Sequence, residues 1–375
     1  MAVGDVILDR DEPESAFVST GAVLGSADIT FGNLELPYAE SAPVNPMVKS
    51  FLLGDPRNVP GLAAVGFDVM SFANNHHMDR GYEAFARTLE LLEENGIACC
   101  GAGRNIEKAR RPAIVERGGA KVAFLAYASV MPIGYEADAD KPGGAPLRVL
   151  TSYYPFEEIE WGFPGTPPVV HTFADPADLA AMQEDVRRAK ESADLVVFTC
   201  HWGLHYVRAA VADYEGQMAR AAIDAGADIV LGHHQHILKG IDSYRGKLIV
   251  HSLSHFVMDI PLLTGDEFPS PRMKALMARY PEQYRFDPEY PSYPFSADTR
   301  MTVMVKLHVR DASIETVELL PCVIQSDNSS RLVDPGEDLF GEIVEYIATV
   351  GAESGMSAAL DIRDSRVIVT PSEVA

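Results

Sequence analysis

Cysteine is scarce in this chain of 375 residues: there are four, and two of them are the neighbours Cys99 and Cys100. Adjacent cysteines rarely bridge each other, and Cys200 and Cys322 complete no spaced framework, so the sequence predicts reduced thiols. Basic residues are also few, 31 Lys and Arg against 54 Asp and Glu, for a formal net charge of -23. So negative a surface repels phosphate backbones, and no local basic stripe offsets it. Nucleic acid is therefore excluded as a partner, and docking on anionic membranes is disfavoured. No run approaches the ~18 consecutive apolar residues of a transmembrane helix. Met1-Ala2-Val3-Gly4-Asp5 lacks the basic and then apolar character of a signal segment. These absences together predict a cytoplasmic protein with no membrane partner. No Gly-x-Ser-x-Gly stretch or cysteine-centred nucleophile context is present either.

What remains is an ordinary globular mixture, 47% apolar and 23% charged, on a chain long enough to bury a core without staples. Short apolar runs alternate with amphipathic stretches. Strands are predicted at Val3–Leu8, Ile29–Leu34, Asp68–Phe72, Val122–Tyr127, Leu195–Cys200, Ile229–Leu231 and Leu248–His251. Helical spacing marks Val59–Val65, Arg80–Asn95, Leu179–Ser192, Tyr214–Ala225 and Glu337–Val350, and Thr302–Val309 with Ile314–Leu320 reads as a closing hairpin. Strands alternating with helices predict a layered α/β fold. Two stretches rich in Pro, Gly and aromatics, at about 131–176 and 261–298, read as insertions in a single domain over 1–375.

The chemistry is concentrated in histidine. Nine of the 11 histidines fall in tight groups: His76 and His77, His201 and His205, His233, His234 and His236, and His251 and His255. Most follow a predicted strand, where open α/β sheets collect ligands at strand carboxyl ends. Gly4-Asp5, Gly32-Asn33-Leu34-Glu35, Asn74-Asn75-His76-His77-Met78-Asp79, His201-Trp202-Gly203 and Gly232-His233-His234-Gln235-His236 are five such ends. Each brings an oxygen or imidazole donor. A mixed oxygen and nitrogen set of this kind suits one or two divalent metals, with Mn, Zn, Fe and Mg as candidates. His205 either touches substrate or pairs with Asp213 or solvent. His233 is expected to turn away from its neighbours, because side chains alternate along a strand.

With Ser252-Leu253-x-x-Phe256-Val257-x-Asp259 added, these motifs resemble the CapA family of poly-γ-glutamate capsule biosynthesis proteins, within the calcineurin-like metallophosphoesterase superfamily. The resemblance covers about residues 1–260. It implies a four-layer α/β/β/α sandwich with metals at one edge of the sheets. It also implies Asp5 and His236 on a first metal, Glu35 bridging, and Asn75, His201 and His234 on a second. His76 would then be the acid that protonates a leaving group. Two positions depart from the family pattern. Ile7 stands where the superfamily usually has a histidine, which costs the first metal an imidazole. His255 stands where the family usually has asparagine, and is read as a second acid/base group. Many members also carry an N-terminal anchor or signal that this sequence does not show.

Three functions remain open at this point. The first is hydrolysis of an amide or peptide substrate by metal-bound hydroxide, with His76 as general acid. The second is metal-dependent epimerisation of a peptide between two bases such as His76 and His255, as in lasso-peptide tailoring. The third is a non-catalytic accessory role in polymer synthesis. The oligomeric state is not legible.

Overall fold

The computed structural model of the chain describes residues 1–45, 52–154, 168–260, 271–281, 283–285 and 287–372. Its first strand, β1 (Ala2–Ile7), is buried at every position, as an apolar run becomes when a sheet is covered on both faces. β2 (Phe31–Leu34), β3 (Val69–Ser71) and β4 (Ala98–Cys100) add to it in order and in parallel.

The chain then builds a second sheet. β5 (Ala113–Arg117) and β6 (Ala120–Ala128) form a hairpin, and β7 (Leu195–His201) and β8 (Ile229–His233) join β6 in parallel. β9 (Ile241–Tyr244) and β10 (Lys247–Val250) form a second hairpin, whose β10 closes on β8. The remaining strands return to the first sheet. β11 (His255–Met258) lies parallel to β1 with His255 opposite Asp5, while β12 (Met301–Arg310) pairs antiparallel with its start. β13 (Ser313–Ile324) pairs with β12 and carries β14 (Ser330–Leu332) and the terminal hairpin of β15 (Ala359–Arg363) and β16 (Arg366–Thr370).

Three apolar cores separate four layers. Helix α1 (Gly81–Glu94) turns Phe85 and Leu92 onto Leu34 and Phe72, on the outer side of the first sheet. Between the sheets Phe31 of β2 stacks on Phe124 of β6, ring centroids 5.3 Å apart, among Val197, Leu231 and Val305. Helices α2 (Pro176–Ser192) and α3 (Asp213–Ala225) cover the second sheet through Val186 and Met218, packed with Leu125 and Phe198. Each such buried side chain contributes about 1.5–3 kcal/mol. The fold is thus the four-layer α/β/β/α sandwich that the resemblance implied.

Most expected elements are present with ends shifted by one to three residues. α2 starts earlier than its apolar spacing suggested, because Asp175 accepts from the amides of Ala177 and Asp178, and Pro176 suits the first turn. Part of the first insertion is regular: Val149–Tyr154 pairs with Val169–Ala174 in a two-stranded ribbon. The second contains helix α4 (Pro271–Arg279). Residues 155–167 and 261–270 of these insertions lie outside the described residues. A last helix, α5 (Asp338–Glu353), packs Ile343 and Ile347 into the middle core. β15 and β16 follow it without having been anticipated, since Asp361, Arg363 and Arg366 interrupt any apolar alternation.

Candidate metal centre

Strand ends from both sheets meet because two glycines let backbones touch. A Cβ at Gly4 would overlap Ser254 O, and one at Gly232 would overlap His251 O. Beyond Gly232 the chain bends sharply, with His234 at φ 87° and His236 at φ 54°. These left-handed positions break the strand alternation and bring both rings into one site.

Asp5 and Glu35 form the floor, both fully buried. Asp5 Oδ1 accepts from Asn33 Nδ2 at 2.9 Å and pairs with His233 Nδ1 at 3.1 Å, while Oδ2 accepts from the His234 amide at 3.1 Å. Glu35 is different. His201 Nε2 lies 3.3 Å and His236 Nε2 3.4 Å from its Oε1, yet neither carboxylate oxygen has an aligned hydrogen-bond partner among the described residues. Burial opposes ionisation of Glu35, but the charge of His236 and the close approach of the His201 and His236 rings hold it well below the usual carboxylate range. Burial, only partly countered by Glu35 and Asp5, lowers the pKa of His201. Burial and the crowd of neighbouring imidazoles hold His234 well below its ordinary value. Those rings are neutral and offer lone pairs.

Donor atoms fall within 4.8 Å of one another in three sets: Asp5, Glu35 and His236; Glu35, His201 and His234; and His205, His234 and His236. Asn75 Oδ1 lies 2.7 Å from His201 Nε2 and extends the second set. Buried carboxylate oxygens with no aligned hydrogen bond, ringed by imidazoles, are donors left over for a cation. The residues present fit a divalent metal on that ground, through oxygen and imidazole donors.

His76 follows Asn75 directly. Its amide donates to Asn74 Oδ1 at 3.0 Å, and its Nδ1 lies 2.9 Å from Asp79 Oδ2. Asp79 is itself buried and held by the Tyr135 hydroxyl at 3.0 Å and the Leu52 amide at 3.0 Å. Burial pulls the His76 pKa down, but Asp79, Glu35 and Asp5 outweigh it and leave the ring above its ordinary value. Its Nε2 has no protein partner among the described residues. His255, opposite Asp5 on β11, contacts His236 Nδ1 through its own Nε2.

All six expected ligands and both expected acid/base groups therefore lie in one region. Two readings are corrected. His233 does not turn away: its Nδ1 pairs with Asp5, because β8 faces β1 across the two sheets. His205 does not pair with Asp213, whose Oδ2 lies 3.3 Å from His171 Nδ1. Its ring instead stacks on His234, centroids 4.6 Å apart. Asn33 was inside a recognised motif but went unnoticed as a brace, bonded to Asp5, Ser71 and Asn74. Asn74 also donates to Leu34 O at 2.7 Å, tying the second and third strand ends together. Ile7 is a buried core residue and brings no donor. Among the described residues no helix is long and apolar enough to cross a membrane.

Residues 1–260 match the family model described as "Bacterial capsule synthesis protein PGA_cap". The "PGA biosynthesis protein CapA" of Bacillus subtilis (strain 168) is 29% identical over 267 residues, covering 68% of this chain and 62% of that protein. An uncharacterized protein of Sinorhizobium fredii is 31% identical over 307 residues, covering 69% and 66%. A "Probable polyglutamine synthesis accessory protein" of Mycobacterium tuberculosis is 32% identical over 216 residues, covering 56% and 50%. The match spans less than two thirds of each relative's length. A hypothetical protein from Thermus thermophilus superposes at TM-score 0.45 with 14% identity, over 85% of this chain and 97% of that one. The calcineurin-like phosphoesterase YfkN of Bacillus subtilis superposes at TM-score 0.34 with 12% identity, over 93% and 89%. With the family model spanning its whole motif-bearing region, the chain belongs to the bacterial capsule synthesis, or CapA, family.

Proposed function

We propose that this chain is a metal-dependent hydrolase of an amide or peptide bond. The observation that carries the reading is the buried, unpartnered Glu35 carboxylate ringed by Asp5, His201, His234 and His236, with His76 braced beside it. Asp5, Glu35 and His236 would hold one divalent ion, and Glu35, Asn75, His201 and His234 a second. A cation there supplies Lewis acidity toward a carbonyl oxygen and toward water.

The protein's own work is positional. Asn33 and the His234 amide fix the Asp5 carboxylate, and Asn74 shapes the turn that carries His76. Asp79 accepts from His76 Nδ1, so Nε2 is the nitrogen that delivers a proton to a departing amine. No lysine or arginine is bonded to any of these side chains among the described residues. That favours an uncharged carbonyl over a phosphoryl group, which arginine forks usually hold. The names of two relatives, which refer to PGA biosynthesis and polyglutamine synthesis, point to a glutamyl polymer or peptide.

The test incubates the Mn-loaded protein with γ- and α-linked glutamyl peptides in heavy water and follows mass and free amine. Cleavage that disappears in His76→Ala, with metal still bound, supports the proposal. One incorporated deuterium without cleavage would replace it by epimerisation. Neither change on any peptide, with metal bound, would leave the accessory role as the reading.

A further inference from the structure

The second insertion reaches the metal centre through one side chain. Tyr293 is fully buried, and its hydroxyl lies 2.8 Å from Thr299 O, 2.9 Å from Thr299 Oγ1 and 2.6 Å from His255 Nδ1. Thr299 Oγ1 spends its own proton on Ser296 O, at 2.7 Å. The single Tyr293 hydroxyl proton must therefore point at Thr299, since a bare oxygen against a carbonyl oxygen would be repulsive. The lone pairs of Tyr293 are then left to accept from His255 Nδ1–H. In a neutral His255 ring the other nitrogen, Nε2, is unprotonated, and it faces His236 Nδ1. A His236 ring that gives Nε2, 3.4 Å from Glu35 Oε1, to a cation carries its proton on Nδ1, and His255 Nε2 is there to accept it.

We propose that Tyr293, acting through His255, is a positioning residue that fixes the tautomer and orientation of His236, so that its Nε2 lone pair is presented to a divalent cation. This rests on the cation-binding reading above and adds to it. Hydrogen-bonded partners behind a ligating histidine fix its ring and raise its basicity. Here the partner is a second imidazole in place of the more usual carboxylate or carbonyl. The relay occupies both nitrogens of His255, leaving none to exchange a substrate proton. It also ties the insertion around 261–298 to the centre, because Tyr293 and Phe295, ring centroids 5.0 Å apart, both pack on His255.

The experiment compares the full chain with Tyr293→Phe, which keeps the ring in its slot, and with His255→Gln. Titration with manganese chloride or cobalt chloride gives stoichiometry and affinity, and NMR of nitrogen-labelled histidine in the metal-free protein reports tautomers. The relay requires a Nδ1–H tautomer at His236 in the parent protein. It further requires a loss of about 10- to 100-fold in affinity for one ion in Tyr293→Phe, with circular dichroism unchanged. A Nε2–H tautomer at His236, or parent-like affinity in both variants, overturns it. If affinity is kept while turnover is lost in His255→Gln, His255 acts on substrate and the relay is again refuted. Failure of the cation reading looks different: the parent protein binds neither ion, or Glu35→Gln binds as the parent does.

Discussion

Replacing Glu35 by glutamine separates the cost of the buried charge from its use. Glu35 is fully buried, neither oxygen is hydrogen-bonded, and the adjacent His201 and His234 are depressed toward neutrality. Burial penalises that charge, but the nearby His236 and His201 outweigh the penalty. Glutamine has nearly the same volume and carries no charge. It is expected to destabilise the metal-free protein by about 1–3 kcal/mol. An unfolding entropy of about 2.1 cal/mol/K per residue gives about 0.8 kcal/mol/K for 375 residues. The variant should then melt about 1–4 °C below the parent in chelator. At a manganese concentration of about 1,000 times its Kd, the parent gains about 4 kcal/mol, or about 5 °C, by mass action. The variant should gain almost nothing, so the gap between the two melting temperatures widens by about 5 °C when metal is added. Differential scanning calorimetry of the two proteins, each with and without manganese, reads all four values. A variant that rises as far with manganese as the parent does refutes the assignment of Glu35 as a cation-binding carboxylate, and one that melts above the parent in chelator refutes its compensation by His201 and His236.

Other consequences are equally open to measurement. His76→Ala should lower kcat by about 10²- to 10⁴-fold while leaving metal stoichiometry unchanged, and Asp79→Asn should lower it less; steady-state kinetics with metal analysis decides. Loss of metal in His76→Ala would count against its placement as an outer acid. Gly232→Ala puts a methyl into His251 O and the Trp202 indole, both parts of the rigid core. Denaturant titration should show a loss of about 1–3 kcal/mol or more. Glu318 lies far from the metal centre and accepts from Arg366 Nε at 3.0 Å and Nη2 at 2.7 Å, with His308 Nε2 at 3.0 Å from its Oε2. The Arg366 hydrogen bonds hold its pKa below the usual glutamate value. Its stabilising contribution is complete above the ordinary pKa of about 4.3 and is lost as pH falls through the lower folded value. Glu318→Gln should therefore lower stability at neutral pH and narrow the gap to the parent in acid, a trend that urea unfolding at stepped pH can confirm or deny.

Much of the molecule could be read before its coordinates. Strands such as β7 and β8 announce themselves as short apolar runs, and helices such as α1 as apolar residues at helical spacing, because both patterns are local. Ligand candidates stand out for the same reason, as polar residues inside or just beyond an apolar run. The terminal hairpin escaped notice because its strands are charged and half exposed, which leaves no periodicity to see. His233 was misread because alternation along a strand was taken at face value. Its partner Asp5 belongs to the other sheet, 228 positions away.

The donors of this centre are written into the chain: Asp5, Glu35, Asn75, His201, His234 and His236 are legible as types and places, since Asp5 interrupts the first apolar run and the others lie at or just past the ends of four more. Their grouping is not. Only packing of the two sheets across Phe31 and Phe124 sets Asp5 against His233, and only the left-handed bends at His234 and His236 turn both rings inward. The line from Thr299 through Tyr293 and His255 to His236 joins an insertion, an edge strand and a loop. A hydrogen bond depends on distance and direction in space, and sequence order encodes neither for groups so far apart along the chain.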